Sequence, residues 1–107
     1  MDRLAALQAF HDEDPDDPFT RFALAREHAR AGDPDRALAF YEGLVRDHPG
    51  YVGTYYHLGA LYARLGREGD ALGAYREGIA EATRAGDLHA RAELQSALLE
   101  AEGLGLE

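Results

Sequence analysis

Five histidines, His11, His28, His48, His57 and His89, are the side chains best suited to proton transfer or metal ligation. No two stand four apart with a nearby acid, the spacing by which a helix presents a zinc pair and its base. Outside tyrosine, the hydroxyls are Thr20, Thr54, Thr83 and Ser96, and none falls in a readable grouping of nucleophile, base and orienter. Cysteine is absent, which removes disulfides, thiolate metal sites and a cysteine nucleophile. The run Asp12-Glu13-Asp14-Pro15-Asp16-Asp17 has calcium-type ligands. It lacks the glycine and distal glutamate of a helix–loop–helix calcium site, and prolines interrupt it. It reads as a solvated linker, with Asp17 placed to cap the next helix. The expectation is a non-enzyme with no metal and no cofactor.

Composition narrows the partners. The 107 residues carry 20 acids against 11 basic residues, a formal net charge of −9. Residues 1–17 hold six of those acids and one basic residue, Arg3. Such a balance opposes nucleic acid, whose affinity comes largely from cations neutralising phosphates. No apolar run approaches the roughly 20 residues of a membrane span, and no basic-then-apolar leader opens the chain. A cytoplasmic protein binding neither nucleic acid nor membrane is expected. Every basic residue is Arg, and Lys and Asn are absent. GC-rich codon usage and adaptation to high salt both account for this, and neither bears on biochemical function.

The elements that position these residues repeat. A shift of 34 aligns residues 18–51 with 52–85, matching Thr20/Thr54, Leu24/Leu58, Ala29/Ala63, Arg30/Arg64, Gly32/Gly66, Ala37/Ala71, Leu38/Leu72 and Tyr41/Tyr75. Gly32 and Gly66 follow helical runs, where a left-handed cap favours glycine. Asp33 and Pro34 then read as an N-cap and first helical residue. Helices are predicted over 19–31, 34–47, 52–65 and 68–84. A leading helix is predicted over about 3–11, with Leu4, Leu7 and Phe10 at helical spacing, and a closing one from Asp87 to about Gly103. Pro15 lies 34 before Pro49, which gives the leading helix the place of a second helix in a truncated repeat. No alternating strand pattern occurs. His28 reads as a packing residue between paired helices, and His48 as a cation at a helix C-terminus. Gly43 and Gly73 lie inside predicted helices with no cap role, and the purpose they leave open is close approach of another helix or a second chain.

The second unit reads Tyr55-x2-Leu58-Gly59-x2-Tyr62 and then Ala71-x3-Tyr75. This resembles the tetratricopeptide repeat pattern, with an aromatic, Leu-Gly and Tyr in the first helix and Ala-x3-aromatic in the second. The first unit departs from it at Arg21, Ala25 and His28, and the second has Thr83 in place of the closing proline, which lets its second helix run on towards Gly86. The resemblance implies an all-α, right-handed superhelix of antiparallel helix pairs. It would be a single domain over 1–107: a leading helix and acidic linker (1–17), repeats at 18–51 and 52–85, and a closing helix and tail (86–107).

In that family the first helices line a concave groove. At 100° per residue, Leu58, Gly59, Tyr62 and Leu65 point to the partner helix, and Gly53, Tyr56, Ala60, Ala63 and Arg64 point away. The first unit offers Phe19, Phe22, Arg26, Ala29 and Arg30 in the same slots, and the closing helix Asp87, Ala90, Leu94 and, at the edge, Arg91. Phe19 and Phe22 have an alternative role in packing on the leading helix. The expected partner-binding set is Phe22, Arg26, Arg30, Tyr56, His57, Ala60, Arg64 and Arg91. Its expected occupant is a protein or peptide segment, with acidic groups or a free C-terminus. The Lys/Asn clamp that some family members use is impossible here. The rival reading is a self-assembling structural module, such as a homodimer.

Overall fold

A computed structural model describes residues 2–103. They form six α-helices and, among the described residues, no strand: α1 (Arg3–Glu13), α2 (Pro18–Arg30), α3 (Pro34–Asp47), α4 (Gly53–Arg64), α5 (Glu68–Ala85) and α6 (Leu88–Ala101). The tail of the predicted closing segment, 104–107, lies outside the described residues. Aspartates start four of the helices. Asp2, Asp17, Asp33 and Asp87 each accept a hydrogen bond from the backbone N–H three residues on, at 2.7, 3.0, 3.2 and 3.0 Å. Left-handed glycines follow α2, α4, α5 and α6, the last being Gly103 with φ of 72°. Gly32, Gly66 and Gly86 have φ of 82°, 78° and 71°. The next residue's N–H then reaches back to His28, Tyr62 and Ala82 carbonyls at 2.9, 2.8 and 2.9 Å, closing helix ends that would otherwise expose carbonyls. As expected from Thr83, α5 continues to Ala85, and the Thr83 hydroxyl donates to the Ile79 carbonyl.

The chain forms two compact units, 2–51 and 52–103. In the first, α2 packs on α1 and α3. Leu7, Ala23 and Leu24 form a buried cluster with Leu4 and Phe40 against it, and Ala37, Tyr41 and Leu44 are buried on α3. His28 is buried and stacked on Phe40, with centroids 5.7 Å apart and planes 8° apart, in the packing role its slot implied. In the second unit α4, α5 and α6 all pack on one another. Tyr55, Leu58, Leu61, Tyr62, Ala71, Tyr75, Ala82 and Leu94 are buried there.

Three expectations are corrected. The acidic run is not all linker: α1 extends through Asp12 and Glu13, because the Asp14 N–H still reaches the Phe10 carbonyl at 3.0 Å. Leu65 does not face the partner helix, since α4 ends at Arg64 and leaves it exposed at the cap. Leu94 is not on an open wall: it is 1% exposed, its Cδ1 packed against the Gly78 position of α5.

Gly59 shows how closely α4 and α5 approach. A methyl group there would overlap the Tyr75 ring. Replacing an interior helical glycine by alanine ordinarily stabilises by about 0.8–1 kcal/mol. Here the sign is expected to reverse, with Gly59→Ala costing about 1–3 kcal/mol as overpacking. Urea titration checks this, with Gly73→Ala as the control, since nothing lies near a methyl at Gly73.

Candidate functional site

The predicted site residues fall on α2 in the first unit and on α4 and α6 in the second. On α2, Phe22 and Arg26 are four apart and therefore neighbours on one face. Phe22 is half-buried, its ring 6.2 Å from Tyr41 and 5.8 Å from Tyr51. It is thus held by the rings of its own repeat. The Arg26 guanidinium lies over the Phe22 ring at 6.0 Å, within reach of cation–π attraction. Phe19 is 63% exposed and remains open rather than buried on α1. Burial, with the charge of Asp17, raises the Tyr51 phenol above its ordinary range.

These residues border a cavity of about 130 Å³ lined by Arg3, Phe19, Phe22, Ala23, Arg26, Glu27 and Arg30. Arg3 comes from α1 and was missed in the sequence, where nothing relates position 3 to the α2 face. Its Nε donates to Glu27 Oε2 at 3.0 Å, and Arg30 reaches the same oxygen at 4.0 Å. Three arginines against one glutamate make this cavity locally cationic within an acidic chain.

In the second unit, Tyr56 is 45% exposed and stands edge-on to the His57 ring, with centroids 5.6 Å apart. Its other ring neighbour is Tyr75, at 6.5 Å. Ala60 and Arg91 are half-buried and Arg64 is exposed. Burial first, then Tyr56 and Glu100, raises the Tyr75 phenol, so the buried ring beneath Tyr56 stays neutral.

One regularity joins the arginines of both units. Arg26, Arg64 and Arg91 have no ion pair among the described residues. Every other arginine has a carboxylate within 4.0 Å. His48, expected only as a C-terminal cation, caps α3 and shares Asp16 Oδ1 through Nε2 at 3.1 Å. His89 stands 3.5 Å from Glu93 on α6. No group of three or more potential metal ligands occurs among the described residues.

The tetratricopeptide repeat family profile matches residues 18–61. A tetratricopeptide repeat domain protein from Salinibacter ruber, solved in solution, is 53% identical, over 88% of this chain and 95% of that one, with a TM-score of 0.82. The chain belongs to the tetratricopeptide repeat family. Its fold is accordingly the all-α tetratricopeptide repeat fold, which generally serves protein–protein interaction. A solved protein from Bordetella parapertussis has a TM-score of 0.81 at 25% identity, covering 95% of this chain and 89% of that one. Cellulose synthase operon protein C of Pseudomonas fluorescens (strain SBW25) is 39% identical over 61 residues, 57% of this chain. The matched stretch is 5% of that much longer protein. No helix among the described residues of this tetratricopeptide repeat chain is long and apolar enough to cross a membrane.

Proposed function

We propose that this tetratricopeptide repeat chain is a non-catalytic module that binds a protein segment carrying carboxylates or a free C-terminus. The observation that carries the reading is the set of arginines with no ion pair among the described residues. An arginine in an acidic protein ordinarily finds a carboxylate, as Arg67 does at Asp70 and Arg76 at Glu102, both at 2.8 Å. Arg26, Arg64 and Arg91 do not, and each stands in a slot that the repeat register assigns to partner binding. A guanidinium takes a carboxylate through two parallel hydrogen bonds. In the first unit exposed Phe19 lines the same cavity as Arg26, and in the second Tyr56 is exposed on the helix that carries Arg64; aromatic and arginine side chains are common binding hot spots. Each unit adds to its own face: in the first, Phe22 anchors Arg26 and Arg30 adds charge; in the second, His57 holds the edge of Tyr56, with Ala60 on the same helix.

The net charge of −9 slows an acidic ligand's approach at low salt, and the local arginines retain it once docked. A micromolar dissociation constant is expected, about −8 kcal/mol. The partner is recovered on the immobilised chain from its own cell lysate and then titrated by calorimetry. Arg26→Glu and Arg64→Glu are each expected to weaken binding about tenfold, or about 1.4 kcal/mol. Tyr56→Ala weakens it as well, and none of the three lowers the melting temperature by more than a few degrees, as surface changes. Unchanged affinity in all three moves the site elsewhere.

Self-assembly draws on a separate observation: Leu88 and Leu99 of α6 are 72% and 51% exposed. Sedimentation over a range of concentrations separates the two readings.

A further inference from the structure

The cavity of about 130 Å³ in the first unit is lined by Arg3 of α1 and by Arg26 and Arg30 of α2, with a single carboxylate among them, Glu27. Glu27 Oε2 accepts from Arg3 Nε at 3.0 Å and stands 4.0 Å from Arg30 Nη1. The Arg3 bond is the one hydrogen bond that these three guanidinium groups make among the described residues, although each is a rigid fork of N–H donors. The Arg3 and Arg30 side chains are 67% and 72% exposed, and Arg26 is exposed as well. Three arginines against one glutamate leave a surplus of two positive charges here, in a chain whose formal net charge is −9.

We propose that this cavity binds a phosphate monoester, the phosphorylated serine or threonine side chain of a partner segment. The proposal rests on the reading of the α2 face as a partner surface and sharpens the acidic group taken there. Size sets the first limit. Pockets for whole small molecules run to about 300–1,000 Å³, so this one admits a single group. Charge and oxygen count then choose the group. A carboxylate brings one charge and two oxygens, which a single guanidinium fork can fill. A phosphate monoester brings about −1.5 to −2 charges at pH 7 and three acceptor oxygens. Those match a surplus of two positive charges and three guanidinium groups. Glu27 holds Arg3 through Nε alone, which leaves both terminal nitrogens of Arg3 for a ligand.

Arg26 is the independent sign that an anion is missing. Its contact is with the Phe22 ring, 6.0 Å from the guanidinium carbon, and it has no ion pair among the described residues. Like charges gathered at one small cavity repel each other until an anion neutralises them. Phe19 separates the two sources of phosphate. It lines the same cavity and is 63% exposed. A free phosphate ion gains nothing from a phenyl ring. An apolar residue next to a phosphorylated one in a protein segment does gain, since it covers the ring while the phosphate sits among the arginines.

The test is an NMR titration of the ¹⁵N-labelled full chain with a phosphoserine–leucine peptide blocked at both ends, so that it carries no carboxylate. Parallel titrations use the same peptide with serine, the same peptide with glutamate, and inorganic phosphate. The expected result is saturable shifts centred on residues 3 and 19–30 with the phosphopeptide, about fivefold weaker binding of the glutamate peptide, the scale of one further exposed ion pair, and none of the serine peptide. Arg26→Gln and Arg30→Gln should each weaken the phosphopeptide about fivefold. Arg84→Gln, which loses only its pair with Glu81 in the second unit, should leave it unchanged. Phe19→Ala should weaken the phosphopeptide and not inorganic phosphate. No histidine lines the cavity, and the second ionisation of a phosphate monoester lies near pH 6, at about 6. The preference for phosphopeptide over glutamate peptide should therefore grow from pH 5 to pH 7, the glutamate peptide registering any titration of the protein itself. Equal affinity for the two peptides at these residues would overturn the phosphate assignment and leave the acidic-segment reading standing. Shifts from neither peptide would overturn both readings of this face. Inorganic phosphate bound as tightly as the phosphopeptide, or indifference to both arginine variants, would also overturn the assignment.

Discussion

Tyr55→Ala is expected to destabilise the second unit by about 3–5 kcal/mol, the scale for deleting a buried aromatic ring. That is a large share of the roughly 5–15 kcal/mol by which such a chain is stable. Tyr55 is 0% exposed, and its Cβ and ring fill the place that Gly78 leaves on α5, beside Leu94 of α6. Its ring thus helps join three helices. Burial, followed by the charges of Glu77 and Glu81, pushes its phenol up to about 12 from 10.0. The fold therefore favours the neutral form. The stability so gained is present in full below pH 10 and lost as the pH rises from there through about 12. Tyr55→Phe should keep the packing and flatten this alkaline loss. Urea denaturation at pH 7 and pH 11 checks both variants.

Arg21→Ala is expected to cost about 2–3 kcal/mol at pH 7, as truncation of a long, nine-tenths buried side chain whose stem packs between helices. Arg21 holds the slot of Tyr55 one repeat earlier, and the helix pair accommodates it differently. A methyl at Gly43 would sit 2.7 Å from Arg21 Nη2, so glycine makes the channel through which the guanidinium reaches Asp47 and Asp16. Hydrogen bonds from Arg46 and then Arg21 hold the Asp47 carboxyl below its usual range. A lowered carboxylate stabilises the fold above its ordinary value, and that gain disappears as the pH falls through the native one. The cost of Arg21→Ala should therefore shrink in acid, whereas the cost of Tyr55→Ala should not. Asp17, held low by the Thr20 hydroxyl and backbone N–H, loses its capping contribution over the same acid range. Thermal melts of the two variants between pH 7 and pH 3 distinguish them; a parallel response would mean that Arg21 acts only by filling space.

The elements were legible because their signals are local. A capping aspartate before each of α2, α3 and α6, and a glycine after α2 and α5, mark helix ends through bonds spanning a few residues. The 34-residue period then assigned Leu58, Tyr62, Ala71 and Tyr75 to the core, because each slot meets the same neighbours in every repeat. The same reasoning failed for Leu94, where the closing helix packs on both α4 and α5 and turns an expected wall residue inward. It left the purpose of Gly43 open, since the need for a glycine there arises from a side chain 22 residues away.

By itself, the sequence determined the helix order, the caps of α2, α3 and α6 and the repeat register. These follow from backbone hydrogen bonding and helical periodicity, which act over one or two turns. Tertiary structure decided which charges are spent. Arg3 joins the α2 face through Glu27, 24 residues on, and Arg21 is consumed by Asp16 and Asp47. An arginine's availability depends on which carboxylates the packed helices bring within about 4 Å, and no spacing along the chain encodes that distance.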